Sequence, residues 1–155
     1  MAKKLSHLMS TGAARMVDVS AKSHTLRRAV AEGYVHMAPG TLRALRNHTG
    51  PKGEALSVAR IAGIQAAKRT GELIPLCHPL PVEHMTVDFQ FVPQGVRIVA
   101  SATITAKTGV EMEAYTAVAV AALTIIDMLK AIDPGMRIDG IRLVEKTGGK
   151  SDYRA

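Results

Sequence analysis

Apolar residues fill positions 114–126 almost without interruption, the pattern of a helix buried on several sides. The run sits in KTGVEMEAYTAVAVAALTIIDMLKAI (107–132). Its length falls short of the roughly 20 apolar residues needed to cross a bilayer. Thr108 and Glu111 have the spacing of a capping box, which predicts a helix start near Gly109 or Val110, and Pro134-Gly135 supplies the stop. Two earlier stretches alternate with period two. In HMTVDFQF (84–91), Met85, Val87, Phe89 and Phe91 share one face; in VRIVASATITAK (96–107), Val96, Ile98, Ala100, Ala102 and Ile104 do. With Pro93-Gln94-Gly95 as the turn they predict a hairpin, with both phenylalanines entering the core.

The rest of the chain fits around these elements. Arg27 and Arg28 precede a strand at AVAEGYVHMA (29–38). A short helix follows, with Thr41 as its cap and Gly50 at its end. EALSVARIAGIQAAKRTG (54–71) keeps the helical period, and Ala59, Gly63 and Ala67 give it a face that admits close packing. The prolines of ELIPLCHPLPV (72–82) make a stiff extended loop. MRIDGIRLVE (136–145) is a last strand, and VDVSAK (17–22) reads as a short edge segment. We expect a flexible segment over 1–16, a single domain over 17–147 and a mobile tail over 148–155. The element order predicts an α+β fold of the ferredoxin-like, split βαβ type: a four-stranded antiparallel sheet with helices packed on one face. Such a fold does not name a function.

Composition narrows the partners. At 155 residues the chain makes one domain. A single cysteine, Cys77, forbids an intrachain disulfide, and the N-terminus lacks the apolar core of a signal peptide; both fit a cytoplasmic protein. The net charge of +7 implies an anionic partner. Nucleic acid fits poorly, because there is no Trp, few other aromatics and no run of five basic residues. A phosphorylated small molecule fits the charge as well, and no membrane partner is expected.

Candidate chemistry lies in three places. Glu113, Thr116, Thr124, Asp127 and Lys130 recur along one side of the long helix. Asp127 and Lys130 read either as a buried ion pair or as groups that meet a ligand. Cys77-His78, held between prolines, reads as a rigid ligand-facing corner or as a structural loop; two adjacent residues are a poor start for a zinc site, and no metal is assigned. Among the lysines, Lys52 in Pro-Lys-Gly and Lys130 stand out, since a desolvated lysine can move protons near neutrality. Gly148-Gly149-Lys150-Ser151 lacks the leading glycine of a phosphate loop, Val144 standing in its place, yet suits a lysine loop that closes over phosphate.

LIPLCHPLP, KTGVEMEA, IIDMLKA and KTGGKS, preceded by ARIAGIQAAKRT, closely resemble the cyclic pyranopterin monophosphate synthase (MoaC) family over about Met16 to Asp152. The resemblance implies a lyase of molybdenum cofactor biosynthesis. Its reaction converts 3′,8-cyclo-7,8-dihydro-GTP to cyclic pyranopterin monophosphate with release of pyrophosphate. It implies a homohexamer, a trimer of dimers, with pockets at subunit interfaces. The family's catalytic residues match Asp127, Lys130 and Lys52. Its substrate-binding residues match Leu76, Cys77, His78, Glu111, Met112 and Glu113, with Arg27, Lys68, Lys146 and Lys150 on the phosphate side. No cofactor is certain, and the triphosphate leaves room for Mg²⁺.

The residues suit that chemistry. Rebuilding a purine as a pterin moves protons at every step, which calls for paired acids and bases. Lys130 fits as one acid/base oriented by Asp127, Lys52 as the other, and Glu113 as an acceptor for ring N–H groups. An RNA-binding module would need exposed aromatics on a central strand, and a nucleotide sensor would have no use for the Asp-Lys pair. Glu113 and Asp127 stand 14 positions apart, roughly 21 Å along a helix. The pocket is therefore expected to be shared between subunits, with a basic residue such as Arg27 or Lys52 reaching another chain's pocket.

Overall fold

The computed structural model describes residues 11–155; residues 1–10 of the expected flexible segment lie outside them. The elements are β1 (Thr25–His36), α1 (Pro39–Arg46), α2 (Ala55–Lys68), α3 (Thr70–Leu73), β2 (His84–Val92), β3 (Gly95–Ala106), α4 (Glu111–Leu129), β4 (Arg137–Thr147) and β5 (Tyr153–Arg154). The sheet order is β2-β3-β1-β4-β5, antiparallel throughout. The four long strands have the ferredoxin-like arrangement. The fifth is an addition to the expected four: the tail turns back, and Tyr153 and Arg154 pair with Lys146 and Glu145. Residues 17–22 join no strand, contrary to expectation; they cross beside the proline-rich loop instead.

Alternation in β2 and β3 works as their patterns predict for most positions. Val87, Val96, Ile98, Ala100, Ala102 and Ile104 are all buried. Phe91 is the exception. It stands near the end of β2 and is 40% exposed, with the Arg46 guanidinium 4.8 Å from its ring centroid. An aromatic face offered to a cation replaces core burial there. β1 begins before Ala29, because β3 continues to Ala106 and offers ladder partners as far as Thr25. Arg27 and Arg28 therefore lie on the strand. Thr41 does not cap α1; it donates to Asp133 Oδ2 (3.1 Å), which also accepts from the Ala38 amide (2.8 Å). The end of that helix is likewise not at Gly50, since Asn47 is its C-terminal cap.

α4 packs on β1, β3 and β4, and α2 lies beside it on the same face, over β2. The small-residue face of α2 makes this possible: a Cβ on Gly63 would come within 2.9 Å of the Ala117 carbonyl oxygen. At 19 residues α4 is long and apolar enough to span a membrane, so length alone does not exclude that role. Its Ala114, Ala117, Val118, Ala121, Ala122 and Ile125 are instead fully buried inside this chain. On the helix-free face of the sheet, Glu32 is 1% exposed. Arg97 Nε and Arg142 Nε each donate to it at 2.7 Å. Paired guanidinium groups satisfy a carboxylate that would otherwise be costly to bury.

Candidate active site

The polar residues of α4 gather at its two ends. At the N-terminal end the capping box does not form. Val110 is the N-cap residue and no side chain caps the helix. Glu111 turns instead toward Lys146, whose Nζ lies 3.3 Å from Oε1. Glu113 turns inward and is 3% exposed. It lines a cleft of about 420 Å³ with Leu76, Cys77, His78 and Met112. The proline-rich loop supplies one wall, and Val17 and Lys22 of the N-terminal segment supply another.

Local geometry fixes the chemistry of this cleft. His78 Nε2 is 2.9 Å from the Val17 carbonyl oxygen. A carbonyl only accepts, so Nε2 donates and Nδ1 is left as an acceptor. Burial raises the Glu113 carboxyl to a pKa of about 7, aided by the nearby charge of Glu111 and opposed by a hydrogen bond from its own amide. Burial, and then the charge of Glu113, also push the Cys77 thiol up.

A second, basic cleft of about 200 Å³ adjoins the first through Gly109 and Glu111. Arg27, Lys146 and Lys150 line it, as does Val110 at the start of α4. Helix start and cations together favour an anion. The Arg27 Nε is buried with no hydrogen-bond partner among the described residues, so a donor is available there. Gly148 shapes the loop that carries Lys150. Its φ of +82° suits glycine, and a side chain there would run into the Leu26 carbonyl.

At the C-terminal end of α4, Asp127 stands between two lysines. Lys130 Nζ is 2.7 Å from Oδ1 and Lys52 Nζ is 2.7 Å from Oδ2. Lys52 reaches it from the α1–α2 loop, which docks closely because Gly50 lies against Leu129. The buried reading of the ion pair is corrected here: the Asp127, Lys130 and Lys52 side chains are 51%, 59% and 46% exposed. Lys52 meets the Asp127 of its own chain, because the loop folds onto α4. Hydrogen bonds from Lys130 and Lys52 hold the Asp127 carboxyl down at about 2.

Leu76, Cys77, His78, Met112, Glu113 and Glu111 are thus brought together, with Arg27, Lys146 and Lys150 beside them. Asp127, Lys130 and Lys52 form a separate cluster, roughly 21 Å along α4 from Glu113. Both Glu113 and Asp127 lie within the helix, so the strand does not shorten that distance. Lys68 joins neither cluster; it lies in a shallow groove with Pro79 and Leu80. Among the described residues no three His, Cys, Asp or Glu side chains converge as metal ligands. Lys22 was not anticipated from sequence, since a lone lysine in a polar segment carries no signal.

The sequence profile of the MoaC family matches residues 16–149. A protein of Novosphingobium aromaticivorans named cyclic pyranopterin monophosphate synthase is 58% identical over 147 residues, covering 95% of this chain and 94% of the relative. One of that name from Corynebacterium efficiens is 55% identical, covering 96% of each. A Mycobacterium bovis protein named cyclic pyranopterin monophosphate synthase 3 is 59% identical over 96% of this chain and 85% of its own. A profile match that takes in both clusters of α4, with relatives this similar end to end, shows that the chain belongs to the MoaC family.

Proposed function

We propose that the chain is a cyclic pyranopterin monophosphate synthase acting in molybdenum cofactor biosynthesis in the cytoplasm. It converts 3′,8-cyclo-7,8-dihydro-GTP to cyclic pyranopterin monophosphate and releases pyrophosphate. The observation that carries this reading is the pair of adjoining clefts at the start of α4. One offers a buried carboxyl and a fixed imidazole to a ring system; the other offers Arg27, Lys146 and Lys150 to phosphates. That division matches a nucleotide with its base in one cleft and its triphosphate in the other. The relatives are named for the same product, which supports this reading.

Each side chain has work in that scheme. Glu113 accepts from ring N–H groups, and His78 Nδ1 accepts from a second. Arg27, Lys146 and Lys150 neutralise the triphosphate and the departing pyrophosphate. Lys130 and Lys52 move protons, and Asp127 orients both. Because these lysines are half-exposed and distant from Glu113 in one chain, a second chain completes and desolvates the site. That fits a homohexamer built as a trimer of dimers. The test is incubation of the pure protein with 3′,8-cyclo-7,8-dihydro-GTP. Pterin product and pyrophosphate in equal amounts support the reading. Binding without turnover by intact oligomer would leave a nucleotide sensor.

A further inference from the structure

Both walls of the Glu113 cleft are tied to one strap of chain. The strap is residues 17–22, which join no strand. At one end the Val17 carbonyl accepts from His78 Nε2 of the proline-rich loop (2.9 Å). Three residues on, the Ser20 carbonyl accepts from Lys107 Nζ (2.8 Å). Lys107 follows the last residue of β3 and precedes Thr108 and Gly109, which line the opposite wall and lead into α4. The strap therefore crosses from one wall to the other. It is stiff between its two ties. Asp18 Oδ1 accepts from the Ser20 amide (2.8 Å) and the Ser20 hydroxyl (2.6 Å), which makes an Asx turn. The Lys22 amide donates to the Val19 carbonyl (3.0 Å) and closes the next turn. Every polar group of Ser20 is thus engaged.

We propose that Lys107 is a positioning residue: through the strap it aims the Val17 carbonyl, and so fixes the ring of His78. Lys107 does not line the cleft itself. It is half-buried, and it gives a donor to a backbone carbonyl where a surface lysine would stand in water. A histidine ring turns about two single bonds, and the partner at one nitrogen sets which way the other points and whether it accepts. Here that partner is the Val17 carbonyl. The Asx turn joins Val17 and Ser20 into one unit, so holding Ser20 holds Val17. Without the Lys107 donor the unit swings free, Nε2 turns to water, and Nδ1 no longer points to one place in the cleft. The use made of His78 rests on the function proposed above; the strap and its two ties do not.

The test reads the strap and the cleft separately. Endoproteinase Lys-C should spare the bond after Lys22 in the wild type. It should cut that bond about tenfold faster in Lys107→Met, and Lys107→Arg should restore protection. KM for 3′,8-cyclo-7,8-dihydro-GTP should rise about tenfold in Lys107→Met, as in His78→Ala, with kcat within about twofold and an unchanged circular dichroism spectrum. Added to His78→Ala, Lys107→Met should raise KM by less than about twofold more, because both changes act at one ring. Three results would each overturn the proposal: a strap as protected in Lys107→Met as in the wild type, a released strap with unchanged KM, or a further tenfold rise on top of His78→Ala. If the wild type binds this nucleotide without turning it over, the same shifts are read in Kd by calorimetry, so a failed reaction does not conceal a failed strap.

Discussion

The two ends of α4 hold carboxylates of opposite character. Glu113 is enclosed and pairs with no cation among the described residues, so burial dominates and its pKa rises to about 7. Asp127 is half-exposed and bridges two lysines, so hydrogen bonding dominates and its pKa falls to about 2. One end can be neutral near physiological pH, and the other carries a fixed ion cluster. Under the proposed function, a single chain separates two halves of one chemistry. The lysines proposed to move protons stand half-exposed at one end of α4, and the cleft proposed to hold the ring system lies at the other.

The comparison breaks most visibly at the lysines. Lys130→Ala and Lys52→Ala should each lower kcat by about 10²–10⁴-fold, the usual contribution of a proton-transfer group, with the circular dichroism spectrum unchanged. A well-folded variant with near-normal turnover would remove that lysine from the mechanism. Glu113 comes next, through stability. Its folded pKa lies above the unfolded value, so the folded state loses stability as pH rises from about 4.5 to about 7 and stays penalised above. Glu113→Gln should therefore stabilise the protein at pH 8 by on the order of 3 kcal/mol and leave it unchanged at pH 4. Equal denaturation midpoints at pH 8 would show that the carboxyl is not desolvated. His78→Ala should raise KM about tenfold, the worth of one well-placed hydrogen bond, with no change in metal content by elemental analysis. Stoichiometric zinc that depends on Cys77 and His78 would contradict that assignment. The smallest effect belongs to Asp127. Its lowered pKa adds stability above about pH 4 that is lost as pH falls toward about 2, so Asp127→Asn should flatten acid unfolding only in that window.

Period-two and period-3.6 patterns located the hairpin and the two long helices, because each element is buried along one face for its whole length. The same logic misplaced Phe91, since alternation cannot tell where the helices stop covering the sheet. It also put Arg27 and Arg28 outside β1. Their exposed charges hid a strand whose start is decided by the length of its neighbour β3. At the site, the motif residues of the first cleft were all legible. The Thr108–Glu111 spacing was a false signal: the helix starts at Glu111 with Val110 as its N-cap, so neither residue stands at a capping-box position, and Glu111 meets Lys146 instead. Glu32 gave no sign in sequence, for its partners Arg97 and Arg142 are remote along the chain and adjacent only across the sheet.

Subunit complementation tests the central claim, that one site draws on opposite ends of α4 from two chains. Lys130→Ala is disabled at one end, and Glu113→Ala, without its ring acceptor, at the other. Mixed under subunit exchange, they should recover about a quarter of wild-type activity, since half of the random pairs are mixed and each has one intact site. Lys52→Ala mixed with Lys130→Ala should recover nothing, because both lysines serve the same end of the same chain. Mixed oligomers proven by native mass spectrometry, with no recovery in the first pair or with recovery in the second, would contradict the account.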